Sequence, residues 1–187
     1  MADAGDEAEW ICGSRAGDPA AFEPLVRRYQ RMIFVLAYRM TGAPESAEDL
    51  TQEVFMRAFQ ELPHYREEAK FATWLHQIAI NHCLNFKKRA ARQAGLIAGW
   101  TEEQTRRVSG HGTGDVDLAA SVQEALLALD ERQRAAVILT VYDGLSHAEA
   151  ARALRCSEAT VSWRVFMARR KLRRLLAPQW RNRFSKP

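Results

Sequence analysis

The chain has 187 residues, 47% of them apolar, and a formal net charge of +4 at pH 7. This length suits one domain or two small ones. It contains no run of about 18 apolar residues, which excludes a membrane-spanning helix and direct membrane insertion, and its acidic start, MADAGDEAEW, lacks the basic-then-apolar order of a signal peptide, so the expected location is cytoplasmic.

In chain order, residues 1–17 read as a tail or short helix. Phe22, Leu25, Val26, Tyr29, Ile33, Leu36, Ala37 and Met40 then recur in steps of three and four, which predicts an amphipathic helix from about Ala20 to Met40. Thr41-Gly42 ends it and Pro44 opens a second helix, with Ala47, Leu50, Val54, Ala58 and Leu62 on one face and Pro63 as its stop. After a polar connector, Phe71, Trp74, Leu75, Ile78, Ala79, His82, Cys83 and Phe86 mark a third helix. Trp74 lies in this stripe and is read as core, as are the adjoining His82 and Cys83. The three helices define a first domain over 18–89. Residues 90–117, ending in the Gly-rich SGHGTGD, read as a flexible linker.

Periodicity resumes at Leu118, Val122, Ala125, Leu126 and Leu129. Asp130 is a plausible N-cap for a helix running to about Tyr142, where Asp143-Gly144 breaks the pattern. Ser146-His147-Ala148-Glu149 has capping-box form and opens a short helix with Ala150, Ala151, Ala153 and Leu154. Arg155-Cys156 turns, Ser157 caps again, and a helix follows whose Val161, Val165, Ala168 and Leu172 want a core. The same turns crowd Arg164, Arg169, Arg170, Lys171, Arg173 and Arg174. No strand-like alternation occurs, so the expected fold is all-α: two small helical domains joined by a flexible linker, the second (118–178) a helix-turn-helix, followed by a basic tail over 179–187.

Charge is unevenly spread. Arg155 to Pro187 carry ten Arg or Lys against the single acid Glu158, whereas the first ten residues carry four acids and no base. A basic C-terminal end suits a polyanion. In a helix-turn-helix the exposed start of the second helix enters a DNA major groove. Thr160, Ser162, Trp163, Phe166 and Met167 are the candidates at base edges there, with Arg164, Arg169, Arg170 and Lys171 on phosphates. The bland alternative is a basic helix that merely closes a bundle. Trp163 and Phe166 discriminate: sealed inside a globule, they could touch no DNA. Cys12, Cys83 and Cys156 are far apart and form no CxxC, which speaks against a disulfide framework or zinc knuckle. Glu45, Glu48, Asp49 and Glu53 have helical spacing but no Glu-x-x-His partner, so no metal or cofactor is expected.

The span from LALDERQRAAV to VFMARRKL, with its GLS-x-x-E-x-A core and S-x-x-TV, resembles region 4 of bacterial sigma factors of the extracytoplasmic-function (ECF) group. AEDLTQEVFMRAF is similar to the family's region 2.2, and FATWLHQIAINHCLNFKKR to regions 2.3 and 2.4. The resemblance implies a protein that is not itself an enzyme: it binds core RNA polymerase, recognises promoters and opens the −10 element. It assigns Asp49, Gln52, Glu53 and Met56 to the β′ clamp helices, and region 4 also to the β flap. It assigns Tyr65, Arg66, Lys70, Thr73, Gln77, Asn81, Asn85, Lys88 and Arg89 to −10 DNA, with loop 64–70 against a captured base. The recognition helix falls on −35 DNA, and an anti-sigma factor, often membrane-bound, is the implied inhibitor. The sequence departs from the family where Ser162 and Met167 replace basic residues, where Ser-Glu-Ala enters the last helix, and where Glu67-Glu68-Ala69-Lys70 replaces a Gly-containing stretch. A one-component regulator with a helical sensor domain is the alternative; it has no reason to carry both EDLTQE and TWLHQIAIN.

Overall fold

The computed structural model describes residues 4–96 and 114–184, and the side chains of residues 6–86 and 118–177. Among the described residues the chain is helical throughout: α1 (Ala4–Arg15), α2 (Pro19–Thr41), α3 (Pro44–Glu61), α4 (Phe71–Leu96), α5 (Gly114–Leu127), α6 (Glu131–Val137), α7 (His147–Ala153) and α8 (Glu158–Phe184). A single 3₁₀ turn follows α3, and α6 continues as a π-turn over Ile138–Tyr142.

The helix ends are capped at Gly42, Asp130 and Ser146, where the sequence predicts it, and at Asp18, where it named no cap. Asp18 accepts the Ala20 N–H at 2.9 Å, Pro19 takes the first helical position, and Gly42, at φ +81, ends α2 with its N–H on the Tyr38 carbonyl. At the start of α7 the Ser146 hydroxyl accepts the Glu149 N–H, and the Glu149 carboxylate accepts from the Ser146 N–H at 2.9 Å. These Ser146 hydrogen bonds hold the Glu149 carboxyl below the usual glutamate range. Its stabilisation is therefore complete above that range and is lost as pH falls through the depressed value. Ser146→Ala is expected to lower stability at neutral pH by about 1 kcal/mol, a difference that shrinks on acidification. Urea titrations at neutral and acid pH check this; a pH-independent difference would contradict the capping account.

The end of α7 is a Schellman motif. Cys156 N–H reaches the Ala151 carbonyl at 3.0 Å and Arg155 N–H that of Arg152 at 3.2 Å. Arg155 occupies the left-handed position (φ +48) where glycine is usual.

The buried stripes are those read from the periodicity: Phe22, Leu25, Ile33, Leu36, Ala37 and Met40 on α2, Ala47, Leu50, Val54 and Ala58 on α3, and Val161, Val165 and Ala168 on α8. Three features go beyond the expectation. The first 17 residues include α1, which packs on α2 through Ile11 and is tied to it by Glu7, paired with Arg28 at 3.1 Å and accepting from the Tyr29 hydroxyl at 2.7 Å. Second, α4 and α5 run into the expected linker from both sides, and α8 runs into the expected tail. Third, the two helical bodies are docked. One apolar cluster runs from Ile11 and Leu25 to Ala150 and Val165, and a smaller one, Leu126, Leu129, Val137 and Ala168, lies beneath α5.

Docking rests on polar groups that no periodicity reports. Carbonyls in the last turn of α2 take donors from the C-terminal body. Gln123 Nε2 donates to that of Tyr38 at 3.0 Å, and Arg134 Nη1 to that of Met40 at 2.5 Å. Arg134 is only 2% exposed; its other donors reach the carbonyls of Leu126, Leu127 and Leu129, at the end of α5. Its charge is thus compensated by the negative ends of two helices rather than by a carboxylate within bonding range. Burial lowers its pKa, opposed by nearby Glu131 and Asp130. Arg39 stacks 3.8 Å from the centroid of Tyr142. His76, buried on α4, donates from Nδ1 to the Ala72 carbonyl at 2.7 Å and turns Nε2 to the Asp143 carboxylate at 3.1 Å.

Candidate functional site

Three surfaces carry the residues singled out in the sequence. On α3, Ala47, Leu50, Val54 and Ala58 point inward, which leaves Asp49, Gln52, Glu53 and Met56 exposed on the opposite side. Met56 is 65% exposed. Glu53 lies 3.4 Å from His82 Nδ1 on α4. Beside this face the structure adds an apolar groove of about 540 Å³ between α2 and α3, lined by Phe22, Val26, Phe55, Met56 and Phe59. The sequence reading missed the groove because Phe55 and Phe59 fall one position beyond the α3 stripe. Two consecutive apolar residues, Val54-Phe55, are the signal that the buried face is wider than the stripe.

The second surface is the polar face of α4 with the loop before it. It encloses a cleft of about 340 Å³, lined by His64, Tyr65, Arg66, Thr73, Trp74 and Gln77 among others, and closed on one side by Arg152 and Ala153 of α7. Arg66, Lys70 and Asn85 are exposed, and Gln77 and Asn81 partly so. Tyr65 and Thr73 are buried in the wall of this cleft. The Tyr65 ring packs on Phe71 and Trp74, with centroids 5.8 and 5.0 Å away, and its hydroxyl donates to the Ala69 carbonyl at 2.6 Å. Burial, then the Glu67 charge, raises the Tyr65 pKa, so the phenol remains a donor. The side chains of Lys88 and Arg89 lie outside the described residues.

This face is also where the C-terminal body docks. With its amide oriented oxygen-first, Gln77 accepts from Arg155 Nε at 2.6 Å and Nη2 at 2.8 Å. Asn81 and Asn85 share a second cleft with Arg132, Arg155, Cys156 and Arg164. In this state the residues read as −10 contacts are therefore partly covered by α7, α8 and the turn between them.

The third surface is α8. Trp163 and Phe166 are 58% and 63% exposed, and Ser162, Arg169 and Arg170 are exposed with them. Ser162 is bonded to His147 Nδ1 at 2.8 Å, and Thr160 to the cap Ser157 at 2.8 Å. Met167 is half-buried. Two expected phosphate ligands are engaged elsewhere: Arg164 Nη1 lies 3.5 Å from Cys156 Sγ, and Lys171 Nζ donates to the Ala128 carbonyl at 2.6 Å. Arg169 and Arg170 are the described cations on this helix best placed to meet a polyanion.

An exposed aromatic pair at the start of a capped second helix, with cations beyond it, defines a helix-turn-helix DNA-binding protein, joined here to a helical body bearing an acidic, apolar-edged face. Comparison with known proteins gives the family. The Sigma-70 region 2 model matches residues 25–93 and the Sigma-70 region 4 model residues 119–172. The chain is 35% identical over 170 residues to the ECF RNA polymerase sigma factor SigM of Mycobacterium tuberculosis, covering 91% of this chain and 84% of that protein. It is 30% identical over 172 residues to SigW of Bacillus subtilis, covering 87% and 92%. Among solved structures it is similar to the sigma factor RpoE in complex with the anti-sigma factor NepR from Bartonella quintana (TM-score 0.70, 25% identity, covering 83% of this chain and 96% of that one). It is likewise similar to CnrH in complex with the cytosolic domain of CnrY (TM-score 0.67, 26% identity, 92% and 97%). The chain belongs to the ECF group of RNA polymerase sigma factors. Among the described residues, no helix is long and apolar enough to cross a membrane.

Proposed function

We propose that the chain binds core RNA polymerase through the α3 face, directs it to promoters carrying −35 and −10 elements, and helps open the −10 element, performing no chemistry of its own. The observation that carries this reading is the conjunction, in family order, of a region 2 body with an exposed acidic and apolar α3 face and a region 4 body with an exposed recognition helix. Asp49 and Glu53 orient the complex electrostatically, while Met56 and the neighbouring groove supply apolar contact. Arg66, Lys70, Gln77, Asn81 and Asn85, with Lys88 and Arg89, hold the −10 strand; amides suit base edges, and stacking with hydrogen bonding offsets the few kcal/mol lost on unstacking. Ser162, Trp163 and Phe166 face −35 base edges, with Arg169 and Arg170 on phosphates. One structural relative was solved with an anti-sigma factor and another with the cytosolic domain of its partner, which supports an anti-sigma factor as this chain's inhibitor and the cytoplasm as its place of action. The alternative of a sensor-type regulator is not favoured, because the N-terminal half matches region 2.

Run-off transcription on a promoter library tests this. Specific transcripts are expected with core polymerase plus the chain and not with core alone; their absence overturns the proposal. Asp49→Lys with Glu53→Lys is expected to weaken core binding at least tenfold without loss of fold. Arg169→Ala is expected to lower the salt slope of promoter binding by about one.

A further inference from the structure

Among the described residues only two non-glycine positions adopt positive φ, Glu67 (+58) and Arg155 (+48); Glu67 stands between Arg66 and Glu68, which line the α4 cleft, and Arg155 lines the neighbouring cleft with Asn81 and Asn85. Such a conformation strains a side chain bearing a Cβ and persists where surrounding contacts impose it. For Glu67 the contacts come from α1. Arg15, the last residue of that helix, pairs through Nη1 with the Glu67 carboxylate at 2.8 Å and donates from Nη2 to the Tyr65 carbonyl. Its guanidinium lies 5.5 Å from the Tyr65 ring centroid. One side chain thus grips the loop at both ends of its left-handed bend, while the Tyr65 hydroxyl closes the same loop on Ala69. The grip is built rather than incidental: Arg15 Nε is buried with no hydrogen-bond partner, a cost accepted where the fork is held by its other nitrogens.

We infer that Arg15 is a positioning residue for −10 strand capture: it holds loop 65–70 in the shape that forms one wall of the α4 cleft. A glycine would take that bend unaided; here an ion pair from α1 holds Glu67 in it. The inference rests on the −10 reading proposed above.

The test uses holoenzyme assembled from core polymerase and the full chain, on a promoter selected by the wild-type holoenzyme from a randomised duplex library. Melting is read by permanganate reactivity of unpaired thymines. Arg15→Ala is expected to reduce open-complex occupancy about tenfold, the scale of one lost charge-assisted hydrogen bond, with core binding and −35 binding unchanged. Arg15→Lys keeps the ion pair but not the fork and falls between. Adding Glu67→Gly to Arg15→Ala is expected to restore melting, because glycine adopts φ +58 freely. A merely structural role would lower core binding in step and would not be relieved by that glycine. Glu67→Ala, which leaves α1 intact, is expected to share the defect, so the outcome does not depend on the folding of Arg15→Ala. Wild-type melting in both alanine variants, or a defect that Glu67→Gly does not relieve, overturns the inference. Arg66→Ala and Gln77→Ala separate it from the reading beneath it: if these are defective and Arg15→Ala is normal, only the clamp fails; if they are normal, the −10 assignment itself fails.

Discussion

Arg134→Met is expected to destabilise the chain by about 3 kcal/mol or more, a large share of the 5–15 kcal/mol typical of a folded domain. The methionine fills much of the space but donates nothing. It removes the side-chain donors from the carbonyls of Met40, Leu126, Leu127 and Leu129 at the ends of α2 and α5, of which Leu126 alone keeps a backbone donor, the Leu129 N–H. Arg134→Lys is expected to lose less yet remain clearly impaired, because three ammonium donors cannot reproduce the planar fork that serves four acceptors. Urea unfolding of the full chain measures both. A change within about 0.5 kcal/mol for the methionine variant, the range of ordinary surface substitutions, would mean that the buried guanidinium contributes nothing net.

The second large effect is expected at Asp143. His76 and Asp143 join α4 to the turn before α7 through a pair in which His76 is buried and Asp143 nearly so. Removing the carboxylate leaves the buried Nε2 without its partner, while the bond from Nδ1 to Ala72 persists. Asp143→Ala is expected to shift the balance between docked and separated bodies by about 2 kcal/mol, roughly 30-fold towards separation. The face carrying Gln77, Asn81 and Asn85 is uncovered in the same step. Amide hydrogen exchange over 71–86 and the radius of gyration from X-ray scattering both report this, and each should rise. If that face reads −10 DNA as proposed above, Asp143→Ala is also expected to bind single-stranded −10 DNA more tightly than wild type in the absence of core. Unchanged exchange and unchanged DNA affinity would show that the contact does not govern access.

The helices and their faces were legible in the sequence because they follow from local chemistry. Gly42, Asp130, Ser146 and Ser157 mark helix ends by bonding their own neighbours, and the stripes on α2, α3 and α8 repeat at the helical period whatever they pack against. The exposure of Trp163 and Phe166 followed from the same period, since Val161, Val165 and Ala168 occupy the inner side. The acidic α3 face could be read for the same reason, but the apolar groove beside it could not, because it needs α2 as its second wall.

What the sequence by itself determined, then, was the set of helices, their inner and outer faces, and the order of two motif sets that places the chain in its family. Only the tertiary structure decided the partners of side chains that point away from their own helix's core. Arg134 belongs to no motif or stripe in the sequence, yet it is buried among carbonyls 8 residues away and 94 residues away. Thr73 and Gln77 looked equally available, and one is buried while the other is held by Arg155. Arg15 and Glu67, 52 positions apart by their numbering, carry no pattern that links them. The physical reason is common to all three: periodicity records which side of an element avoids water, whereas a hydrogen bond or ion pair between elements depends on where their backbones are brought in space.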